Sequence, residues 1–414
     1  SQILIVSGAM MLERVTKGRV HSAAFVALMF LYCLPFTWGF VNFEFGLGAA
    51  LCGIAVYLRV QDKAWPVRFA VNAGFVVLLF AAHFFALGIY GATIGIHELW
   101  RAQERKSAPV ETALRLVVVA IPALALLAAT EAGGGAIGGE GTAWFFEFKP
   151  IWLFRIMNGY NLTVSAVSVC ALIGFIYIAA RRGILKFAPG GLWLALGFAA
   201  LYVAIPSRLV GTSFVDFRMI VAGAFIMPAF CVLTLPDRNW MRIALVGTAC
   251  ITLANLAVVT TVWLSYRADY AAMIASFAKI DKGARVLTGT SGNGDDPPFN
   301  DLTQYPFYYA PVLAVHYADA FAPNLFTAVG KQPVVARASI AHLDTPHGGP
   351  VPMTILSALA AGKTADIVPR YLRNWTVDFD YLYVLGPPAG NPLPALLEER
   401  ERSSRFMLYK IRKP

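Results

Sequence analysis

The stretch Asn161–Arg182, NLTVSAVSVCALIGFIYIAARR, decides the fold class. It holds about 20 predominantly apolar residues and no charge before its final arginines, which is the length a helix needs to cross a bilayer. Further apolar stretches of this kind occur along the first 266 residues. The nine segments are 22–40, 43–58, 68–83, 86–100, 113–129, 161–180, 187–206, 218–235 and 242–264. With an apolar stub at Ile3–Met11, they predict a mainly α, polytopic transmembrane helix bundle of about nine spans plus a partial one.

Basic residues fall between these segments in an alternating pattern. Nineteen lysines and arginines precede Arg267. Fifteen of them lie in alternate loops, that is, in the loops predicted to share one side of the membrane. The four exceptions are Lys149, Arg155, Arg208 and Arg218. Loops rich in Lys and Arg stay on the cytoplasmic side. We therefore predict a multi-pass protein of the bacterial inner (cytoplasmic) membrane, whose odd number of crossings places the last 148 residues in the periplasm.

Composition divides the chain at the same point. Hydrophobic residues make up 58% and charged residues 14% of the whole, against roughly 45–50% and 25% in soluble proteins. Residues 267–414 nevertheless hold 28 charged side chains, as a globular domain does. The sequence thus predicts a membrane domain over 1–266 and an extracytoplasmic domain over 267–414. The net charge of +10 arises mainly in loops that face anionic membrane lipids, so no nucleic-acid partner is predicted.

The last part of the chain has the signals of a small α/β domain. Arg285–Gly289 and Tyr381–Gly386 are short β-branched or aromatic runs that end at glycine, which is typical of buried strands. Leu393–Arg402 is predicted as a helix with a charged face, and Arg405–Ile411 as a final strand. Strand, helix and strand in this order favour an α/β sheet.

Two acidic residues on the predicted outer face are candidates for catalysis. Glu44 lies in a turn, Trp38–Gly46, with no other charge nearby, and a carboxylate there could serve as a general base or hold sugar hydroxyls. Asp216 begins a late segment. For both, the alternative is structural, since a carboxylate at a helix N-terminus is ordinary electrostatics.

The basic residues that depart from the charge pattern are candidates for substrate binding. A guanidinium group forms a planar pair of hydrogen bonds with phosphate, so Arg208 and Arg218 are the first choices. Lys149 and Arg155 are candidates for the same role. For these basic residues, the alternative is contact with the headgroups of membrane lipids. His83 lies between the apolar segments 68–83 and 86–100 and is also a candidate for substrate binding. The alternative is that its ring is hydrogen-bonded and packed for structural reasons.

Metal and cofactor signals are weak. The five cysteines all lie inside apolar segments, with no metal-binding or disulfide spacing. Asn293, Asp295, Asp296, Asn300 and Asp301 form an oxygen-rich run without the order of a calcium loop, and His316, His342 and His347 have no paired spacing. The sequence predicts no certain cofactor. A bound divalent cation is the one cofactor that it still allows.

Several local features together resemble the bacterial polytopic glycosyltransferases of the GT-C superfamily. Gly39–Gly48, GFVNFEFGLG, is followed by a span that ends at Leu58-Arg59. His83 lies at the outer end of a predicted hairpin, Val215-Asp-Phe-Arg218 leads into a late span, and Phe379–Val384, FDYLYV, looks like a late strand of the family's terminal domain.

This resemblance implies a polyprenyl-phosphate sugar donor and transfer to a cell-envelope acceptor on the periplasmic face. The family's acidic motif, in the first outer loop, has no counterpart after Ser1, so we expect either that the N-terminal part lies upstream or that catalysis has been lost. Two other interpretations stay open. One is a non-catalytic subunit of an envelope assembly, which binds a protein partner through the C-terminal domain. The other is a transporter or flippase.

Overall fold

The structure is a computed structural model of the 414-residue chain. It describes residues 1–129, 141–209, 212–292, 307–325, 327, 334–345, 348–363, 368–386 and 390–413. These residues form two compact units, Ser1–Val259 and Thr260–Pro414.

The first unit is mainly helical. Its helices are α1 Gln2–Lys17, α2 Ala23–Phe30, α3 Leu34–Thr37, α4 Val41–Val60, α5 Trp65–Ala82, α6 Phe84–Glu104, α7 Pro109–Ala129, α8 Lys149–Phe154, α9 Leu162–Arg181, α10 Gly191–Ala204, α11 Val215–Ile226 and α12 Arg238–Ser276, which continues into the second unit. Its short strands are β1 Leu185–Phe187, β2 Arg208–Leu209, β3 Thr212–Ser213 and β4 Cys231–Leu233. Strands β1 and β4 pair antiparallel, as do β2 and β3.

Within the described residues, five helices are long and apolar enough to cross a membrane: α4, α5, α7, α9 and α12 with its 3-10 extension. Helix α4 is mostly buried, whereas α7 exposes apolar side chains such as Val110, Leu114 and Leu124. A continuous apolar surface on a helix is stable in lipid rather than in water. The helices therefore indicate a membrane protein with fewer clear spans than the nine predicted.

The other predicted segments form shorter or more polar helices. Segment 22–40 divides into α2 and α3, because Pro35 lies in the first turn of a separate short helix. Segment 218–235 forms α11, then a 3-10 turn at Met227–Phe230 and strand β4. The predicted break near His83 is confirmed: its φ of −168° and ψ of 117° separate α5 from α6.

Glycines allow α1 and α4 to cross closely. A Cβ atom added to Gly8 would lie 2.7 Å from Leu51 Cβ and 3.0 Å from the Gly48 carbonyl oxygen. One added to Gly48 would lie 2.9 Å from the Ile5 backbone nitrogen. Small residues at such a crossing are how membrane helices bring their backbones together.

We expect Gly48→Ala to lower the stability of the protein by about 1–3 kcal/mol, because its methyl group meets backbone atoms that cannot move aside. Thermal unfolding in detergent measures the change. Gly74→Ala is the matched control, since a Cβ at Gly74 meets nothing within 4 Å and alanine raises helix propensity by about 1 kcal/mol. An equal effect of the two substitutions would contradict the close crossing.

A buried carboxylate organises the turn from α1 to α2. Glu13 is fully buried and accepts hydrogen bonds from the backbone nitrogens of His21, Ser22 and Ala23 at 2.9, 2.8 and 2.9 Å. Lys17 Nζ lies 2.9 Å from its Oε1 and 2.9 Å from the Pro228 carbonyl oxygen. The first backbone donors of α2 have no partner within the helix, so Glu13 satisfies them and opposes the positive end of the helix dipole.

The second unit is built on a five-stranded sheet. Its strands are β5 Val286–Thr290, β6 Val351–Pro352, β7 Tyr381–Leu385, β8 Leu397–Arg402 and β9 Phe406–Ile411, in the spatial order β6-β5-β7-β9-β8. Strands β5, β6 and β7 are parallel, while β9 runs antiparallel to β7 and β8. Its short helices are α13 Ala314–Tyr317, α14 Met353–Ala360 and α15 Trp375–Asp378. The small sheet region predicted at the C-terminus is confirmed, including strands at 286–290, 381–385 and 406–411.

The helix predicted over Leu393–Arg402 is wrong. Residues Leu397–Arg402 form the edge strand β8, with a register shift between Glu399 and Glu401. Glutamate and arginine favour helices when isolated, but pairing with β9 decides the conformation here. Only Leu397 of the strand is fully buried, and its charged residues protect a sheet edge that would otherwise be open to further pairing.

Candidate functional site

Arg218 lies in a cage of aromatic rings within the first unit. It occupies the first turn of α11, four residues after Phe214, whose φ of 62° is left-handed. Its guanidinium carbon is 5.0 Å from the ring centre of Phe40, 5.6 Å from Phe43 and 5.7 Å from Phe85. Such cation–π contacts stabilise a charge that has left water, and they fix the guanidinium group in one place.

The guanidinium group in this cage has no anionic partner among the described residues. Arg218 is only 6% exposed, and no side chain in the described part of the chain forms an ion pair or hydrogen bond with it. Its Nε is buried without an acceptor. A buried charge normally has a partner, because the cost of removing it from water is several kcal/mol. Arg218 therefore remains a candidate for binding an anion.

His83 belongs to the same neighbourhood. Its ring lies 5.4 Å from that of Phe43, and its Nδ1 accepts the backbone N–H of Phe85 at 3.2 Å. Both phenylalanines also contact Arg218. The structure thus brings together two of the predicted binding residues, although His83 at the same time caps α6.

A row of rings connects Arg218 with Arg155, a second arginine without an ion-pair partner in the described ranges. Phe40 lies 5.9 Å from Trp38, Trp38 lies 4.3 Å from Phe214, and Phe214 lies 5.6 Å from Trp152. The guanidinium carbon of Arg155 is 5.7 Å from the Trp152 ring. We call Trp38, Phe40, Trp152, Phe214 and the two arginines the aromatic–arginine site.

The unsatisfied polar atoms of this site are all hydrogen-bond donors. Trp38 Nε1, Arg155 Nε and Arg218 Nε are buried and have no acceptor among the described residues. Leaving a buried donor unpaired costs about 1–3 kcal/mol. Three such donors along one row of rings would suit a ligand rich in acceptors, such as a phosphate or the oxygens of a sugar.

A cavity of about 280 Å³ adjoins the site. It is lined by Phe145, Phe148, Trp152, Ser207, Arg208, Ser213, Phe214 and Asp216. Arg208 belongs to strand β2 and is exposed. Trp152 and Phe214 contribute to both the cavity and the row of rings, so a ligand in the cavity lies against the same aromatic surface.

Lys149 and Asp216 form a closed ion pair beside this cavity. Lys149 Nζ is 3.0 Å from Asp216 Oδ2, and it also donates to the carbonyl oxygens of Tyr202 at 2.7 Å and Ile205 at 3.0 Å. Ser207 Oγ donates to the same carboxylate oxygen at 2.6 Å, and the Phe217 backbone N–H reaches Oδ1. All three donors of the ammonium group are used. The pair ties the C-terminus of α10 to the start of α11, which leaves the catalytic role of Asp216 a prediction.

Glu44 is hydrogen-bonded to residues at the start of the chain. It is 2% exposed, and its Oε2 accepts hydrogen bonds from Gln2 Nε2 at 3.2 Å and Ser1 Oγ at 3.3 Å. Neither contact residue touches Asp216. The two proposed catalytic acids therefore share no partner, although Glu44 directly follows Phe43 of the Arg218 cage.

The ring cage was missed by sequence reasoning. Phe40 and Phe43 are three residues apart at the start of α4, so they share one face of the helix, and that spacing was available in the sequence. Phe85 and Trp152 come from other helices, and no local pattern links them to Arg218.

Metal binding finds no support in the part of the chain that is described. No group of three or more His, Cys, Asp or Glu residues could hold an ion there. His316 and His342 are separate from any such group. The oxygen-rich run at Asn293, Asp295, Asp296, Asn300 and Asp301, and also His347, lie outside the described residues.

No protein-family model, curated protein or solved structure matches the chain.

Proposed function

We propose that the protein is an integral-membrane, glycosyltransferase-like protein that binds a polyprenyl-phosphate sugar donor at the aromatic–arginine site. In this proposal the site faces the periplasm, and the sugar passes to a cell-envelope acceptor. Arg218 holds the phosphate, while Arg155, Trp38 and Arg208 bind the remaining oxygens of the donor.

The buried, unpaired guanidinium of Arg218 carries this proposal. A phosphate offers several strong acceptors, and arginine can engage two of them with parallel hydrogen bonds. The rings around Arg218 exclude water, which strengthens the attraction between opposite charges. A phosphate-bearing lipid also explains why the site combines a fixed cation with an apolar surface, since the same ligand has an anionic head and a hydrocarbon chain.

The aromatic surface suits the sugar of the donor as well. Trp152 and Phe214 line the cavity with apolar ring faces, and Ser207, Ser213 and Arg208 add polar groups at its wall. Ligand sites in proteins generally combine a mostly apolar lining with a few placed polar groups. A donor would thus place its phosphate at Arg218 and its sugar along the rings.

A second candidate function follows from the hydrogen bonding of the two acids. Asp216 accepts hydrogen bonds at both oxygens, from Lys149 and Ser207 at Oδ2 and from the Phe217 backbone N–H at Oδ1, whereas side chains of α1 and its cap bind Glu44 at Oε2 alone. A general base needs a free oxygen within reach of the proton it removes. Asp216 has no oxygen without a hydrogen bond, which favours a non-catalytic membrane subunit that binds the same phosphate-bearing lipid without transferring its sugar.

A transfer assay with a radiolabelled polyprenyl-phosphate sugar separates the two candidates. For an enzyme, we expect Glu44→Gln to reduce transfer by at least about a hundredfold while donor binding persists, since a catalytic acid or base contributes about 10²–10⁴-fold. Arg218→Met should abolish both transfer and binding. Unchanged transfer in both variants would contradict the proposed site.

Glu147→Gln is the matched control for Glu44→Gln, because Glu147 is an exposed carboxylate of the same unit. Donor binding without transfer by the unaltered protein would support the non-catalytic candidate. Absence of donor binding by the unaltered protein would overturn both.

A further inference from the structure

A second cleft lies in the first unit, between three membrane helices. It has a volume of about 190 Å³ and is lined by Tyr57 of α4, by Trp65, Arg68, Phe69 and Asn72 of α5, and by Glu111, Leu114, Arg115, Val118 and Val119 of α7. None of these residues belongs to the aromatic–arginine site. The cleft is therefore independent of the function proposed above.

Helical spacing explains how the cleft forms. On α5 the lining residues follow the spacing i, i+3, i+4 and i+7, and on α7 the first four repeat it. Residues with this spacing share one helix face, so two faces lie opposite each other. Both helices begin beside loops of the basic set, at residues 61–64 and 105–108.

The cleft changes in polarity along its depth. Arg68, Glu111 and Arg115 lie in the first two turns of their helices, next to the basic loops. Val118 and Val119 lie further along α7, about 10–12 Å from Glu111 at roughly 1.5 Å per residue. If α5 and α7 cross a bilayer, the charged end would lie at its surface and the apolar end inside it, which is also the order of a lipid headgroup and its acyl chain.

The deep end of the cleft is closed by a buried hydrogen-bonded contact. Asn72 Nδ2 donates to the Val119 carbonyl oxygen at 2.8 Å, and Tyr90 Oη donates to Asn72 Oδ1 at 3.2 Å. Asn72 is only 2% exposed. This contact holds α5 and α7 together below the cleft, so the opening above it is a fixed feature of the packing.

The charges at the open end favour an anion. Arg68 NH2 donates to Glu98 Oε1 and to Tyr57 Oη, both at 3.0 Å, while its buried Nε has no acceptor among the described residues. Glu98 is shared with Arg101. Arg115 pairs with Glu111, whose side chain is 51% exposed. Among the described residues, four arginines near this end, Arg68, Arg101, Arg105 and Arg115, share three carboxylates, those of Asp62, Glu98 and Glu111, and Arg68 keeps an unused donor.

We propose that this cleft binds an anionic phospholipid of the leaflet next to the basic loops. The lipid phosphate contacts Arg68 and Arg115, and the first carbons of one acyl chain lie against Phe69, Leu114 and Val118. Basic pockets between transmembrane helices are recognised sites for anionic headgroups. The volume is below the roughly 300–1,000 Å³ of typical small-molecule sites, so only the part of the lipid nearest its headgroup enters.

Two substitutions with opposite expected effects test this site. Arg115→Ala removes a phosphate ligand and leaves Glu111 in the cleft, so we expect phosphatidylglycerol binding to weaken about tenfold, equivalent to about 1.4 kcal/mol. Glu111→Gln releases Arg115 from its ion pair, so binding should strengthen. Native mass spectrometry of the full chain, titrated with phosphatidylglycerol and with phosphatidylcholine, measures both changes.

Arg242→Ala is the matched control, because Arg242 is an exposed arginine near the start of another helix, α12. Val118→Trp is a second variant, which fills the apolar part of the cleft and keeps every charge. We expect it to reduce phosphatidylglycerol binding as Arg115→Ala does. Equal affinity for the two lipids, or equal loss in Arg115→Ala and Arg242→Ala, would overturn the proposal.

Discussion

Arg218→Met is expected to lower the affinity for a polyprenyl-phosphate lipid by at least about a hundredfold. Two charge-assisted hydrogen bonds contribute about 1.5–3 kcal/mol each, and every 1.4 kcal/mol changes a dissociation constant about tenfold. Methionine keeps the apolar volume among Phe40, Phe43 and Phe85, so the cage stays filled. Native mass spectrometry of the purified protein with the lipid measures the change.

The same substitution should leave the ligand-free protein at least as stable as the original. Removing an unpaired buried charge relieves a desolvation cost, whereas breaking a buried ion pair costs about 3–5 kcal/mol. Thermal unfolding without lipid therefore distinguishes a ligand-binding arginine from a structural one. A large loss of stability in Arg218→Met would show that Arg218 has a structural partner.

Arg218→Lys serves as the conservative variant. Lysine keeps the charge but lacks the planar pair of donors, so we expect binding between that of the original and that of Arg218→Met. Arg242→Met, at an exposed position, should bind as the original does. Loss of binding in Arg242→Met would mean that general basicity, rather than the cage, attracts the lipid.

Glu13→Ala is expected to destabilise the protein by about 3–5 kcal/mol, the cost of removing one member of a buried charged network. Three backbone N–H groups at the start of α2 lose their acceptor, and Lys17 keeps only the Pro228 carbonyl oxygen. Unfolding in mixed detergent micelles, followed by circular dichroism, measures the loss.

Glu147→Ala is the matched control for this loss, because Glu147 is exposed and surface substitutions usually change stability by less than about 0.5 kcal/mol. Glu13→Gln keeps one acceptor oxygen, so its loss should be intermediate. Equal stability of Glu13→Ala and the original protein would contradict the role of Glu13 in joining α1 to α2.

The sequence predicted those parts of the fold that depend on local pattern. The apolar run before Arg181 became the long helix α9, and the β-branched runs at 286–290 and 381–385 became the central parallel strands. The charged run before Ser403 was assigned to a helix because its residue types favour one. Its pairing with β9 is a tertiary contact, which a local propensity does not contain.

The candidate site was predicted only in part, for a related reason. Arg218 was identified because it departs from the charge pattern, which is a property of the sequence. Its lack of an acidic partner among the described residues and its contact with Phe85 depend on how α6 and α11 pack. The pairing of Lys149 with Asp216 likewise cannot be predicted from local sequence spacing, because the two residues are 67 positions apart. Lys149 was predicted to bind substrate and Asp216 to act in catalysis, whereas in the structure the two side chains form an ion pair with each other.

The most direct test of the central claim is an experimental structure of the protein in lipid nanodiscs supplied with a polyprenyl phosphate. We expect phosphate oxygens about 2.7–2.9 Å from the Arg218 guanidinium nitrogens, the distance of charge-assisted hydrogen bonds, with the prenyl chain against the neighbouring rings. A bound phosphate elsewhere, with Arg218 paired to a carboxylate of the protein, would contradict the claim.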